Sequence, residues 1–155
     1  MTKLCPPLFA LSLLLLSNHA GYAQQSDTDQ VKAAIDALNA ALSSLDMTKM
    51  DALWAHDANV MLVNPRDKTV SIGWDAVRKH WDELPADYSE FKVTQAEGPN
   101  IRVQGNIAWS IGIANAVGKL KSGAALNAPT FATDVFEKRD GKWLLVSHVA
   151  LRVPQ

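Results

Sequence analysis

Two polar side chains in the last third of the chain have the chemistry to move a proton. Asp134 interrupts a largely apolar strand beside Val135 and Phe136, and His148 stands in a second apolar run close to the C-terminus. An isolated carboxylate in such a run costs several kcal/mol unless it is paired or wet, so Asp134 should border a cavity, a partner or a subunit contact. Asp140-Gly141 between the two runs is a hairpin signal. Counting outward from a two-residue turn pairs Arg139 with Lys142, Val135 with Val146, Asp134 with Ser147 and Thr133 with His148. On that register Asp134 and His148 lie on opposite faces, and only a bulge would make them a dyad. His148 is then either a sheet histidine bonded to Thr133 or a general base in a pocket.

The other histidines carry less. His56 closes a helical stretch, where its ring suits the last carbonyls, and His80 follows Lys79 on a helix and should face solvent. Neither forms H-x-x-x-H or H-E-x-x-H with a neighbour, so no metal site and no cofactor is expected. Trp54, Trp81 and Trp109 come from segments that would surround a cavity and could wall it for a flat or aliphatic ligand, whereas Trp143 reads as a core plug.

The elements that must hold these residues follow from periodicity. Val31, Ile35, Leu38, Leu42 and Leu45 recur at spacings of three and four, predicting a helix to about Ser44 with Ser26, Asp27 or Thr28 as its N-cap. A second, shorter helix capped by Asp46 or Thr48 should reach His56, and a third should run from Asp75 to Leu84, stopped by Pro85. Residues 59–63 and 69–72 predict a short hairpin around Asn64-Pro65-Arg66-Asp67. Strands are expected at 88–97, 101–118, 130–138 and 143–153, with breaks at Gly98-Pro99-Asn100 and between Gly118 and Pro129. From Ile107 to Val117 one face is bulky (Ile107, Trp109, Ile111, Ile113) and the other small (Ala108, Ser110, Gly112, Ala114, Ala116). The small face leaves room for a ligand, a close-packed helix or a second sheet in a dimer.

The N-terminus has one positive side chain, Lys3, an apolar stretch Leu4–Leu16 and small residues Gly21 and Ala23. This pattern predicts a signal peptide over residues 1–23, cleaved before Gln24, and a periplasmic or secreted protein. The apolar stretch is too short to span a bilayer, so no membrane anchor is expected once the signal is removed. Cys5, the only cysteine, goes with the signal, and disulfides play no part in the expected mature chain. Removing 23 residues from 155 leaves 132, one domain's worth, with 24–29 a flexible leader and 30–155 the domain. Loss of Lys3 with the signal leaves 15 − 1 = 14 basic against 16 acidic residues in the expected mature chain, which favours neither nucleic acid nor an anionic membrane.

Three segments carry a family resemblance over essentially all of that domain. Leu53-Trp54-Ala55-His56-Asp57-Ala58-Asn59-Val60 resembles the second-helix-to-first-strand segment of SnoaL-like and ketosteroid isomerase-like proteins. Gly73-Trp74-Asp75-Ala76-Val77 is similar to the start of their third helix, and Thr133–Arg152 to their closing hairpin. The resemblance implies an α+β fold of the nuclear transport factor 2-like superfamily. Three N-terminal helices would pack in the concave face of a strongly curved antiparallel sheet, as a cone-shaped barrel that commonly pairs as a homodimer. Because members include isomerases, cyclases, dehydratases, transport adaptors and kinase association domains, the fold does not choose a function. The isomerase base of the resembled proteins stands just before a proline after the first strand, where this sequence has Asn64. An amide cannot accept that proton, and the expected mature chain has only Tyr88 as a phenol, so a copied isomerase mechanism is disfavoured.

The leading expectation is a small apolar or amphipathic molecule bound in a cone lined by Trp54, Trp81, Trp109, Asp134 and His148. Its rivals are a cofactor-independent isomerase, dehydratase or hydrolase using Asp134 or His148, and a dimeric protein-interaction module.

Overall fold

A computed structural model describes the backbone of residues 18–154 and the side chains of 27–154. The expected signal segment falls outside the described residues up to position 17. Helix α1 runs from Asn18 to Ser44 and so passes through the expected leader and cleavage point without a cap at 26–28. Asp27, expected as a cap, instead accepts from Lys138 Nζ (2.5 Å) and Trp143 Nε1 (3.3 Å), fastening the helix to the closing hairpin. The Lys138 hydrogen bond holds its carboxyl below the ordinary range. Val31, Ile35, Leu38 and Leu42 are buried, as their spacing requires, and Leu45 in a left-handed conformation ends the helix.

Helix α2, Met47–Asp51, is capped by Asp46, whose carboxylate accepts from Thr48 N and Oγ1. It stops five residues before the expected end because the next backbone groups pair with a strand. Leu53 O accepts from Leu145 N (2.8 Å) and Ala55 N donates to Leu145 O (3.0 Å). Trp54 therefore sits on a bridged segment, not a helix. Strands β1 (Met61–Val63) and β2 (Ser71–Ile72) form the short hairpin. Helix α3, Trp74–Asp87, carries Pro85 inside it, where proline was expected to end it. The loss is confined to one bond in the last turn, since the chain becomes extended at Tyr88.

Four long strands follow as an antiparallel meander: β3 (Tyr88–Gln104), β4 (Ile107–Leu120), β5 (Ala125–Arg139) and β6 (Lys142–Arg152). The six-stranded order is β2-β1-β6-β5-β4-β3, with β1 parallel to β6, so the sheet is mostly antiparallel and open rather than a closed barrel. Gly98-Pro99-Asn100 does not break β3. It forms part of an irregular stretch with register shifts at Gln95/Glu97 and Glu97/Asn100, and the turn comes at Gly105 instead. Proline is tolerated there because β3 is an edge strand with no ladder on its outer side. Opposite such irregularities β4 has glycines. A Cβ on Gly118 would lie 2.2 Å from Glu90 O, and one on Gly112 2.6 Å from Glu97 O. Without side chains at these points the two strands approach closely and the sheet curves around α1 and α3.

The concave side holds the core, where Trp54, Trp81, Phe136, Met50, Leu62 and Leu145 are almost wholly enclosed. Trp143 joins it, as a plug should. The small-residue face of β4 is the inner one: Ala108, Ser110 and Ala114 are buried, whereas Ile107, Trp109 and Ile111 are exposed on the outer face.

Candidate functional site

The hairpin register follows the count from Asp140-Gly141 as far as Phe136–Leu145 and then slips by one. Val146 has no partner, Val135 pairs with Ser147, and Asp134 pairs with His148. This bulge turns His148 to the concave face beside Asp134, so the expectation of opposite faces is overturned by the one irregularity that could do so. His148 Nδ1 donates to Asp134 Oδ1 at 2.6 Å, and Ser110 Oγ donates to Oδ2 at 3.1 Å. Each carboxylate oxygen thus has a donor, which satisfies a group that is only 3 % exposed. The Nδ1 bond leaves Nε2 as the imidazole atom able to accept a proton, the arrangement in which an aspartate orients a histidine base. Sequence reasoning missed Ser110, although its place on the small face of β4, opposite Asp134, could have pointed to it.

The Trp81 ring lies against this dyad, its centroid 6.2 Å from that of His148 and 6.4 Å from that of Trp54. Both indole N–H groups are buried and have no hydrogen-bond partner among the described residues. Trp81 also forms part of the wall of a cavity of about 230 Å³. Leu42, Leu84, Phe91, Ala116 and Ala128 are among its apolar lining, and Asn64, Asp67, His80, Thr130 and Arg152 line it with the charged Arg66, Glu83 and Asp87.

Asp134 and His148 do not line the cavity. Thr130, which does, precedes Asp134 by four residues on β5, roughly 13 Å at the usual strand rise. Asp134 is paired rather than wet: Ser110 and His148 supply the partners that its burial requires. Trp109 is not in the concave group at all, because strand alternation puts it on the outer face, 40 % exposed. Of the five expected ligand residues the fold brings together Trp54, Trp81, Asp134 and His148, and only Trp81 meets the cavity.

His80, expected in solvent, lines the cavity instead and pairs with Asn64: Asn64 Nδ2 donates to His80 Nε2 at 2.8 Å. His56 behaves as a cap, with Nε2 2.8 Å from Asp51 O at the end of α2 and its ring stacked 4.1 Å from Trp74. Among the described residues no group of three His, Cys, Asp or Glu side chains is placed to hold a metal ion.

Residues 31–150 match the SnoaL-like domain family. The chain belongs to that family. Solved structures agree on the fold. A candidate dehydratase of the nuclear transport factor 2-like family from Streptomyces avermitilis superposes with a TM-score of 0.75 at 22 % identity, over 85 % of this chain and 99 % of that one. A nuclear transport factor 2-like superfamily protein from Salmonella enterica gives 0.75 at 16 % identity, over 88 % and 94 %. A candidate calcium/calmodulin-dependent protein kinase II association domain from Xanthomonas campestris gives 0.68 at 24 % identity, over 81 % and 86 %. No curated protein matches the sequence. A SnoaL-like fold whose similar structures include a candidate dehydratase and a candidate kinase association domain leaves function to the site.

Proposed function

We propose that this SnoaL-like protein binds a small apolar or amphipathic molecule in the cavity between α3 and the concave face of the sheet. The observation that carries this reading is the cavity's make-up: nine of its 17 lining residues are apolar or aromatic and eight are polar or charged, the mixture an amphipathic small molecule would meet. A thermal-shift screen of the folded chain against small hydrophobic metabolites tests it. A ligand at 100 times its dissociation constant adds about 2.7 kcal/mol, several degrees of Tm for a domain of this size. Trp81→Tyr, which alters the wall, should reduce the shift. A flat response across the library would count against the cavity and favour a protein-interaction module.

A second reading is favoured by the Asp134–His148 pair. In it the protein is a cofactor-independent isomerase, dehydratase or hydrolase, His148 Nε2 takes the proton, and Asp134 fixes the ring through Nδ1. Trp81 lines the cavity and lies against His148, which does not line it, so this route requires a rearrangement that brings the bound molecule to Nε2.

We also infer export and pairing. Lys3, the Leu4–Leu16 stretch and the small residues before Gln24 support export to the periplasm or medium. Exposed Trp109, Ile111, Phe131 and Leu151 form adjoining rows on the outer sheet face and support a homodimer across it. Recovery of a dimer with Gln24 as its first residue from the extracytoplasmic fraction supports both, by intact mass and sedimentation. A monomer retaining Met1 in the cytoplasm would refute both.

A further inference from the structure

The cavity contains a histidine that has no part in the buried dyad. Asn64 follows β1 at the start of a tight turn that fixes it from both sides. Its N–H donates to Asp67 Oδ2 at 2.7 Å, and its carbonyl accepts from Asp67 N at 3.0 Å. So held, its side-chain amide reaches α3 and donates to His80 Nε2. An amide NH₂ only donates, so Nε2 is the acceptor and the hydrogen of the neutral ring must be on Nδ1. Asp67 Oδ1 stands 3.8 Å from Nε2, beyond hydrogen-bond reach, and does not compete for that atom. The neutral ring therefore has one donor left to offer, Nδ1–H, on a residue in the wall of a cavity whose lining is partly apolar.

We propose that His80 is the hydrogen-bond anchor of this cavity, with Asn64 setting its tautomer, and that its Nδ1–H binds a carbonyl or ether oxygen on an otherwise apolar small molecule. The proposal rests on the cavity being a binding site and adds the chemistry of its occupant. A half-buried donor beside an apolar lining favours ligands that bring an acceptor, because a bound hydrocarbon would displace water from Nδ1–H and give nothing back. Asn64 is a positioning residue and makes no ligand contact in this scheme.

The test uses two probes of one skeleton, 1-tetralone and tetralin, which differ in a single acceptor oxygen. 1-Tetralone should bind about fivefold or more tightly than tetralin, the worth of one hydrogen bond. His80→Phe should abolish that gap while leaving tetralin within about twofold, and His80→Gln, which keeps a donor, should retain part of it. Independently of any ligand, ¹⁵N chemical shifts of the neutral His80 ring should report the Nδ1–H form in the wild type, with loss of that preference in Asn64→Leu. Equal binding of both probes, unchanged in His80→Phe, would overturn the role of His80 while leaving the cavity standing. Binding of neither would overturn the cavity reading and this one with it. An Nε2–H ring in the wild type would overturn the tautomer assignment whatever the probes do.

Discussion

Asp134→Ala will lower the unfolding free energy by about 3–5 kcal/mol, the usual cost of removing one partner from a buried pair. His148 would lose the acceptor of its Nδ1–H and Ser110 the acceptor of its hydroxyl, both deep in the concave face where water does not replace them. In a chain of 155 residues each kcal/mol moves Tm by roughly 2–4 °C, so the drop will be plain in a thermal scan and in the urea midpoint. The double variant Asp134→Leu/His148→Phe should recover part of the loss, because it removes His148 along with its acceptor and leaves only the Ser110 hydroxyl unsatisfied. A single variant within about 1 kcal/mol of wild type would mean that the pair does not hold the sheet together. If the double variant folds with near wild-type stability but loses a turnover that the wild type shows, the pair is retained for chemistry and not for stability.

That pair was half legible in the sequence. Asp140-Gly141 located the turn, and the register counted from it is right through Phe136–Leu145. Beyond that point Leu144-Leu145-Val146 offers three apolar residues in a row, with no alternation to say which of them faces inward, and the bulge at Val146 is settled by packing. Trp109 shows a related limit. Period two assigned the two faces of β4 correctly, but periodicity does not say which face is inside, and here the small one is. Ala114 is buried there and Ala116 lines the cavity. His80 was misplaced because its partner is 16 residues away, across a turn whose geometry no local rule supplies. The proline readings failed differently. In the sequence Pro85 and Pro99 read as stops, yet one falls in a last helical turn and the other on an edge strand, places where a missing N–H is cheap.

Trp81→Ala should be the most damaging change at the cavity, destabilising the fold by about 3–5 kcal/mol as large aromatic truncations in cores do. The side chain is 1 % exposed and stands between Trp54, His80 and His148, so its loss leaves a hole that these rings cannot fill without leaving their own partners. Trp81→Phe should cost much less than a smaller ring alone would suggest. It gives up some buried area, but it also removes a buried indole N–H that has no acceptor among the described residues. The expected order in urea denaturation is therefore wild type close to Trp81→Phe, with Trp81→Ala far below both; a Trp81→Phe loss equal to that of alanine would show that the N–H is satisfied in solution. The alanine variant has a second expected consequence, because Trp81 both lines the cavity and lies against His148. Removing it should join the two, and an apolar probe such as tetralin should then perturb the His148 ring resonances in the variant and leave them unmoved in the wild type. If the probe already reaches His148 in the wild type, Trp81 is a door and not a wall, and a proton could pass between His148 and a bound molecule without any change in sequence.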